Sequence, residues 1–475
     1  MQPERRIYRL SPGQLSAETI AVTFAKTSRS PKAFDEIAVE LNDEKSAQFN
    51  EKWVVGYGHA SVAEHAVLHL ALENVSRLAI ETIEGNRLAS YTEKSTRYQE
   101  WDNDAFIIPP EIKGSRKEKL YLGTCEMLFE AYQQALGLLR TWAGEKYPRQ
   151  EDESEKAWQQ RVRSRVSDVC RFLLPAAAMA NVGVTINARA LEYAIKKLLT
   201  SPLAEVRQIG EEVKAVALQE LPTLVKYANP IEYLGGIQAA YKPLADRNLG
   251  VSHTDWCKLL EFDPEGEAKV LAALLYRFGC SSYQSCFDQV MSLGNARHVD
   301  LVDELFKDTG EFNVPLRELE YTSYVFDVIM DQGAYFEFKR HRMMSQTVQP
   351  LTVTLGFSMP RAFSEAGFEQ TYIETMRRVE EAYKQLAAWN PNVAAYIVPN
   401  AFNRRIVFKL NLRELFHFSR LRCASNAHFS IRRVSRRMIE DIRLHHPVFL
   451  SHLCVDCSET SRDIELEYFK EVSMC

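Results

Sequence analysis

Two short stretches decide how this sequence folds: RHRMMS at residues 340–345 and RLASYTEKSTRY at residues 87–98. Both place arginines and a serine at close spacing. Arginine offers planar, bidentate donors for phosphate oxygens, and serine adds a small donor and acceptor that completes the hydrogen bonding of a phosphate. An isolated cluster of this kind is often a solvated helix face, but here the surroundings of the two stretches also match, which favours an anion site.

The matching surroundings indicate an internal duplication of about 200 residues. Each copy has a helical lead-in, an Arg/Ser stretch, a long amphipathic helix, a strand-like run that ends at proline, and a helix that begins Asn-x-Arg. We expect a first unit at residues 1–235 and a second at residues 263–475. Residues 236–262, rich in Gly, Pro and polar residues, are interpreted as a connector.

Local patterns predict several elements. The stretch before Arg87 fits a strand that gives way to a helix, and residues 152–170 fit a charged helix that must end before Pro175. In the second copy, Arg413 and His417 are four residues apart on one predicted helical face. The related helix at residues 187–199 carries one apolar stripe, formed by Leu191, Ala194, Ile195 and Leu198.

These segments resemble the flavin-dependent thymidylate synthase family. RHRMMS is similar to the family's RHRxxS signature, and Glu93, Ser95 and Arg97 match the extension that follows it. GHAS at residues 58–61 and ENVSR at residues 73–77 match the family's order upstream. The resemblance implies an α+β fold with two tandem copies of the flavin-dependent thymidylate synthase fold, each a small sheet flanked by long helices.

The two copies depart from the family pattern in different places. The first has Gly85 and Asn86 in place of the leading Arg-His, and Leu198 in place of a late arginine. The second lacks the Glu/Ser/Arg extension, where Val348, Pro350 and Thr352 stand, and has Ala395 where the first has Arg171. Random decay would not spare one half-set in each copy, which favours a retained function.

The complementary losses predict one composite site and one reciprocal site without its ligands. Family enzymes are homotetramers whose subunits share the nucleotide site, so two chains here would form a homodimer that is a pseudo-tetramer. The second copy would supply one half-set and the first copy the other: Arg340, His341, Arg342 and Arg422, and Glu93, Ser95, Arg97 and Arg171.

The resemblance also implies individual roles. Arg422 would be the catalytic residue, because a permanent cation stabilises the negative charge that develops on a pyrimidine ring during attack by C5. Expected nucleotide-binding residues are Glu93, Ser95, Thr96, Arg97, Arg171, Glu337, Arg340 and Arg422. Expected cofactor-binding residues are His59, Ser61, Arg340, His341, Arg342, Asn411, Arg413, His417, Asn187 and Arg189.

The implied reaction is methylation of dUMP to dTMP, with methylene-tetrahydrofolate as carbon donor and FAD, reduced by NADPH, as hydride carrier. Glu337 replaces a family glutamine, and a carboxylate there would repel a phosphate and select a different base edge or sugar hydroxyl. A second hypothesis therefore keeps flavin and folate but changes the pyrimidine acceptor. A third is a catalytically inactive nucleotide- or flavin-binding protein.

Composition excludes other function classes. The 475 residues, 46% hydrophobic and 25% charged, are typical of globular domains. A net charge of −5 argues against a general nucleic-acid surface. Without a secretory signal or an apolar run of 18 residues, the sequence predicts a cytoplasmic protein that binds small molecules and neither nucleic acid nor membrane.

Three further patterns have ordinary interpretations. Cys454 and Cys457 form a lone CxxC, which is more often incidental than a zinc site, so no metal is predicted. Tyr98 and Trp101 are interpreted as core residues. The basic run of Arg432, Arg433, Arg436 and Arg437 is interpreted as a solvated helix face, which the glutamate tail of a folate or a second chain could also use.

Overall fold

The structure is a computed structural model that describes residues 15–27, 30–245, 255–310, 313–453, 455 and 458–470. Cys454 and Cys457 lie outside these ranges. Within them, no helix combines the length and the apolar character that crossing a bilayer requires.

The chain is a mixture of helices and short antiparallel sheets. The helices, in chain order, are α1 (Ala17–Thr27), α2 (Phe34–Val39), α3 (Asp43–Phe49), α4 (Arg77–Ile83), α5 (Glu118–Lys146), α6 (Glu155–Cys170), α7 (Ala188–Leu199), α8 (Ala204–Glu220), α9 (Glu232–Ala245), α10 (Gly266–Phe278), α11 (Tyr283–Met291), α12 (Asn295–Phe306), α13 (Gln332–Phe338), α14 (Arg361–Glu365), α15 (Glu369–Ala387), α16 (Pro391–Ala394), α17 (Leu412–Arg422), α18 (Phe429–Arg443), α19 (Pro447–Leu450) and α20 (Ser461–Tyr468). Tighter or wider turns occur at Asn50–Gly56 (π) and at Ala60–His65, Arg171–Leu173, Arg317–Tyr321 and Ala395–Ile397 (3-10).

The strands form three antiparallel sheets. They are β1 (Val67–Ser76), β2 (Ala89–Glu93), β3 (Met179–Asn187), β4 (Cys257–Phe262), β5 (Ser323–Asp331), β6 (Ser345–Val348), β7 (Met359–Pro360), β8 (Asn403–Asn411) and β9 (Phe469–Lys470). The first sheet has the order β1-β3-β2, the second β4-β5-β8-β6, and the third pairs β7 with β9. Alternate residues of β5 are buried, as a strand with one face on a core requires.

The described residues form two compact units. The first is drawn from Met1–Lys94, Ala105–Glu118 and Ala177–Gly250, and the second from Ser95–Asp104, Lys119–Ala176 and Val251–Cys475. The second unit therefore contains two segments of the first sequence copy. The predicted copy boundaries remain predictions about the sequence duplication, because these units divide the chain differently.

The predicted duplication is visible as repeated topology. β1 leads into α4 and β3 into α7, as β5 leads into α13 and β8 into α17. Each of these helices has a side-chain N-cap, provided by Ser76, Asn187, Asp331 and Asn411. The α+β architecture with small sheets and long helices is confirmed.

The proline-terminated runs of both copies meet inside the second unit. The Ala176 amide donates to the Val398 carbonyl at 2.9 Å, and the Asn400 amide to the Leu174 carbonyl at 3.0 Å. Each run follows a 3-10 turn, which begins at Arg171 in one copy and at Ala395 in the other. This pairing brings the end of α6 next to residues of the second copy.

The local predictions fared differently. The strand followed by a helix before Arg87, the helix ending at Cys170, and the apolar stripe of α7 are confirmed. Trp101 is buried as expected, but Tyr98 is 52% exposed, so its assignment to the core is wrong. The predicted connector contains part of α9 and all of β4, which pairs with β5 in the second sheet.

Gly266 gives a test of the second unit's packing. A Cβ at Gly266 would lie 2.1 Å from Thr322 Oγ1 and 2.7 Å from His446 Cε1. His446 is held by Tyr324 and by the Asp263 carbonyl. We expect Gly266→Ala to lower the free energy of unfolding by about 1–3 kcal/mol through overpacking, measured by thermal and urea unfolding.

The matched control is Gly137→Ala in the middle of α5, where a Cβ meets nothing within 4 Å. It should be neutral or stabilise by up to about 1 kcal/mol, since alanine favours helix over glycine. Equal stability of the Gly266→Ala variant and the wild type would contradict the packing at His446.

Candidate functional site

An arginine cluster lies in the second unit where several helices end. Arg171 follows α6 as its C-cap, and Arg422 is the last residue of α17. Glu337 is the penultimate residue of α13, and His341 lies in the turn after it. Arg97 lies in the turn that follows Ser95. Residues from both sequence copies therefore meet here.

Glu337 connects an arginine of one copy to an arginine of the other. Nη1 of Arg171 donates to Glu337 Oε1 at 3.0 Å, and Nη1 of Arg422 donates to Oε2 at 3.2 Å. Nη2 of Arg422 also donates to the Glu337 backbone carbonyl at 3.1 Å. Burial acts to raise the pKa of Glu337, but the charges of Arg171, Arg97 and Arg422 outweigh it and hold the pKa below its ordinary value. Glu337 is therefore an ionised, bridging carboxylate.

His341 accepts a hydrogen bond from Nε of Arg422, the guanidinium nitrogen that Glu337 does not contact. Nε of Arg422 donates to His341 Nε2 at 3.0 Å. Because the guanidinium does not lose its proton, Nε2 must be the unprotonated acceptor, and the imidazole proton resides on Nδ1. Nδ1 lies 3.3 Å from Glu414 Oε1, although the alignment is too poor for a strong hydrogen bond. Burial, with the charges of Arg422, His417 and Arg340, lowers the pKa of His341 to about 2.

Arg97 is neutralised by Asp168 of α6. Nε and Nη2 of Arg97 donate to the two Asp168 oxygens at 2.7 and 3.1 Å, and Nη2 also donates to the Asn426 carbonyl at 3.0 Å. The Asp168 carbonyl accepts from His428 Nε2 at 2.9 Å, while His428 Nδ1 accepts from the Ser430 amide. Burial and the charges of Arg171 and Arg97 place the pKa of His428 well below its ordinary value.

Arg171 has one edge that Glu337 does not cover. Its Nε and Nη2 atoms are buried, and the described residues give them no hydrogen-bond partner. A Cβ at Gly333 would lie 3.0 Å from Asp331 Oδ1, 3.3 Å from Nη2 and 3.5 Å from Nε, so this edge faces the glycine backbone close to the buried Asp331 carboxylate. Buried N–H donors without acceptors are costly, so this edge calls for an additional acceptor atom.

The three arginines thus face Glu337 and Asp168, and Arg171 also acts through its charge on the buried Asp331. Arg340, from RHRMMS, is exposed and acts on His341 through its charge. Arg342 is half-buried. Sequence reasoning missed Asp168 and Glu414, although Asp168 lies one helical turn before Arg171 and Glu414 directly follows Arg413, spacings that can reveal such partners.

A cavity of about 1330 Å³ lies in the same unit and extends to Glu414. Its volume exceeds the roughly 300–1,000 Å³ of ordinary small-molecule pockets. One side is aromatic: Phe306 stacks on Phe416 with ring centroids 5.4 Å apart, and on His452 at 5.0 Å. The arginines that line the cavity are Arg413, Arg420, Arg432 and Arg436.

The N-terminus of α17 positions the predicted cofactor residues at this cavity. Asn411 Oδ1 accepts from the Glu414 amide at 2.8 Å, which starts the helix directly after β8. Asn411, Arg413 and His417 all line the cavity. Arg413 donates to the Pro315 carbonyl at 2.9 Å and to Glu320 at 2.6 Å.

The basic run on α18 is not a solvated face. Arg432, Arg433 and Arg436 are at most 9% exposed, so the prediction is wrong for these three. Arg432 lies 3.0 Å from Glu459 and donates to the Ser425 carbonyl, Arg436 donates to the Cys423 carbonyl, and Arg433 stacks on Trp256 and Phe469. Carboxylate, carbonyl and aromatic partners replace water here.

The remaining predicted residues of the second unit are Ser95 and Thr96. Ser95 Oγ accepts from the Arg97 amide at 3.2 Å, so it shapes the turn that carries Arg97. Thr96 is buried. Within the described residues, no group of three or more His, Cys, Asp or Glu side chains is arranged to hold a metal ion.

Five predicted residues lie in the first unit. Glu93 forms a buried ion pair with Arg77 at 2.9 Å. Asn187 caps α7 through the Ala190 amide, and Arg189 pairs with Glu64. His59 and Ser61 are exposed. Their roles in binding stay predictions.

Comparison with known proteins gives matches along most of the chain. The family model for the thymidylate synthase complementing protein matches residues 13–223 and again 258–448. A UPF0159 protein of Chlamydia muridarum is 31% identical over 441 residues, covering 89% of this chain and 83% of that protein. A UPF0159 protein of Thermoplasma acidophilum is 29% identical, covering 86% and 88%. A flavin-dependent thymidylate synthase of Clostridium tetani is 29% identical over 215 residues, covering 45% of this chain and 82% of that protein.

The buried histidines give a test of the site's electrostatics. In a chain with ¹³C-labelled histidine, the resonances that vanish in His341→Gln and His428→Gln should not titrate between about pH 8 and pH 5, because burial beside arginines keeps both rings neutral. Titration of either resonance in that range would contradict the described contacts.

The lowered pKa values of the two histidines also predict how the free energy of unfolding changes with pH. Below the ordinary histidine pKa of 6.5 the unfolded chain binds a proton at each ring and the folded chain does not. The free energy of unfolding should therefore fall as the pH drops from 6.5 towards the folded pKa, by about 1.4 kcal/mol per pH unit for each ring.

Proposed function

This chain belongs to the thymidylate synthase complementing protein family, and we propose that it is a flavin-dependent enzyme that methylates dUMP to dTMP at its arginine cluster. Relatives named flavin-dependent thymidylate synthases support a thymidylate-synthase-like function with a flavin cofactor. One observation carries the finer assignment: Arg171 of one copy and Arg422 of the other hold the same carboxylate, which supports an anion-binding centre with contributions from both copies.

The arginine cluster suits a nucleotide monophosphate. Arg171 and Arg422 each direct a guanidinium at the same carboxylate, and a guanidinium is the bidentate donor that phosphate oxygens accept. Ser95, Thr96 and Arg97 follow one another in the turn at the cluster, where Ser95 adds a neutral hydroxyl. Arg340 supplies further positive charge from the surface.

Arg422 suits the catalytic role because the orientation of its guanidinium group is fixed by hydrogen bonds. Three of its N–H groups are held by His341 and by the side chain and backbone of Glu337. A guanidinium has five N–H groups, so two remain on Nη1 and Nη2. A cation held in this way stabilises charge on a pyrimidine oxygen without reorganising.

The large cavity fits a flavin. Its aromatic side offers apolar contact, and Arg413, Arg420, Arg432 and Arg436 offer charge for a diphosphate. FAD, once bound and reduced, supplies the hydride that turns a methylene carbon into a methyl group. We propose NADPH as the reductant and methylene-tetrahydrofolate as the carbon donor, so that dUMP, methylene-tetrahydrofolate, NADPH and a proton yield dTMP, tetrahydrofolate and NADP⁺. We further propose that two chains assemble as a homodimer.

The nucleotide assignment is tested with Arg422→Lys and Arg171→Ala. Both should weaken dUMP binding by roughly tenfold or more and abolish dTMP formation, because lysine cannot reproduce the held fork and alanine removes the phosphate contact. Calorimetry with dUMP and a turnover assay on the flavin-loaded chain give the readout.

The matched control is Arg140→Ala, which removes an exposed arginine of the same unit that pairs only with Glu100 among the described residues. It should bind dUMP like the wild type. Wild-type affinity and turnover in the Arg422→Lys variant would refute the assignment.

The flavin assignment is tested with His417→Ala, which removes a ring from the cavity wall. We expect the visible absorbance of purified protein to show less bound flavin, with the dissociation constant raised by about tenfold, the loss of one good contact. His445→Ala is the control, since His445 stacks on Phe262 and does not line the cavity. Equal flavin content in both variants would place the flavin elsewhere.

A further inference from the structure

The carboxylate of Glu337 stands where a ligand's anionic group would bind. We propose that Glu337 is a specificity-determining residue, because its carboxylate competes with the anionic group of the nucleotide for Arg171 and Arg422. Binding is then an exchange, in which the nucleotide's anionic group takes the place of the Glu337 carboxylate on the two arginines. This inference rests on the proposed function, because it takes the arginine cluster as the nucleotide site.

The charges of the cluster support exchange. Arg97 already has a bidentate partner in Asp168. Among the arginines of the cluster, Arg171 and Arg422 are therefore the two whose contacts a phosphate could take over from Glu337. Glu337 takes a hydrogen bond from each of them and is only 6% exposed. A phosphate added beside that buried carboxylate would meet like charge, and burial lowers the dielectric screening that would otherwise weaken this repulsion.

The hydrogen bonds of Arg422 also allow the Glu337 carboxylate to move away while Arg422 stays in position. Arg422 would lose one hydrogen bond but keep two, to His341 and to the Glu337 backbone carbonyl. Arg171 would lose the one side-chain hydrogen bond that the described residues give it, so its Nη1 group becomes available. The catalytic cation stays in place while the phosphate-binding cation is released.

The equivalent position in the other copy carries no charge. Counting from the first residue of each helix, Glu337 is the sixth residue of α13 and Thr82 the sixth of α4. The carboxylate is therefore not a requirement of the repeated strand-to-helix unit. It stands only in the copy whose helix faces both arginines.

Exchange makes the site selective for ligands that form further contacts with the protein besides those of their anionic group. Inorganic phosphate brings only its charge and must displace Glu337 unaided. A nucleotide adds contacts from its base and sugar, and these can offset the displacement. Glu337 therefore lowers affinity for anions in general and leaves the nucleotide as the preferred ligand.

The test compares Glu337→Gln with wild type, using the flavin-loaded full chain and calorimetry with dUMP, deoxyuridine and inorganic phosphate. We expect dUMP and phosphate to bind roughly ten- to a hundredfold more tightly to the variant, because one buried like charge is gone. Deoxyuridine, which lacks phosphate, should bind with nearly unchanged affinity.

The control is Glu267→Gln, the same chemical change at a carboxylate of the same unit that accepts from the Phe449 amide. It should bind all three ligands like the wild type. Removing one partner of a buried ion pair destabilises a fold, so the thermal midpoint gives a second readout. Phosphate should raise it more in Glu337→Gln than in wild type.

The outcomes separate this inference from the proposed function. Tighter phosphate binding in Glu337→Gln with no dUMP binding to either chain would support the inference and refute the function. Binding of dUMP to wild type with no gain in the variant would refute the inference alone. A folded Glu337→Gln chain that has lost dUMP binding would make Glu337 a positioning residue and overturn exchange, and no ligand binding by either chain would overturn both.

Discussion

The second unit has to keep several guanidinium groups out of water, and each of them needs a partner. Burial of a charge without a partner is strongly destabilising, whereas burial of an apolar group stabilises the fold. Glu337 meets this need for Arg171 and Arg422, and Asp168 meets it for Arg97. These pairings fix how α6, α13 and α17 end against one another. The site's geometry follows from the partners available to its arginines.

The features that could be predicted from sequence are those set by local chemistry. An asparagine before Arg189 and another before Arg413 signal helix starts, and both cap their helices through the amide three residues on. The alignment of Arg171 with Ala395 was also readable, because each follows a helix and precedes a proline-terminated run. Duplication repeats such signals at fixed spacing, which makes them stand out from a single sequence.

The features that could not be predicted depend on contacts between distant parts of the chain. The sequence around Glu337 does not show that its neighbours will be Arg171 and Arg422, 166 and 85 positions away. The basic run on α18 reads as a solvated face because its partners, such as Glu459 and Phe469, lie on later segments. Local pattern predicts helix, but the side that faces water is decided by what packs against it.

The complementary losses acquire a physical explanation when the two copies are joined in one chain. Arg171 is kept where the second copy has Ala395, and Arg422 where the first has Leu198. Each retained arginine contacts Glu337 within one unit. In a symmetric assembly of identical subunits every substitution appears at all equivalent positions, so a carboxylate at the glutamine position would enter every site. Duplication removes that constraint. It allows one copy to carry a charge that the other lacks, as Glu337 in the second copy and the uncharged Thr82 at the equivalent position of the first illustrate.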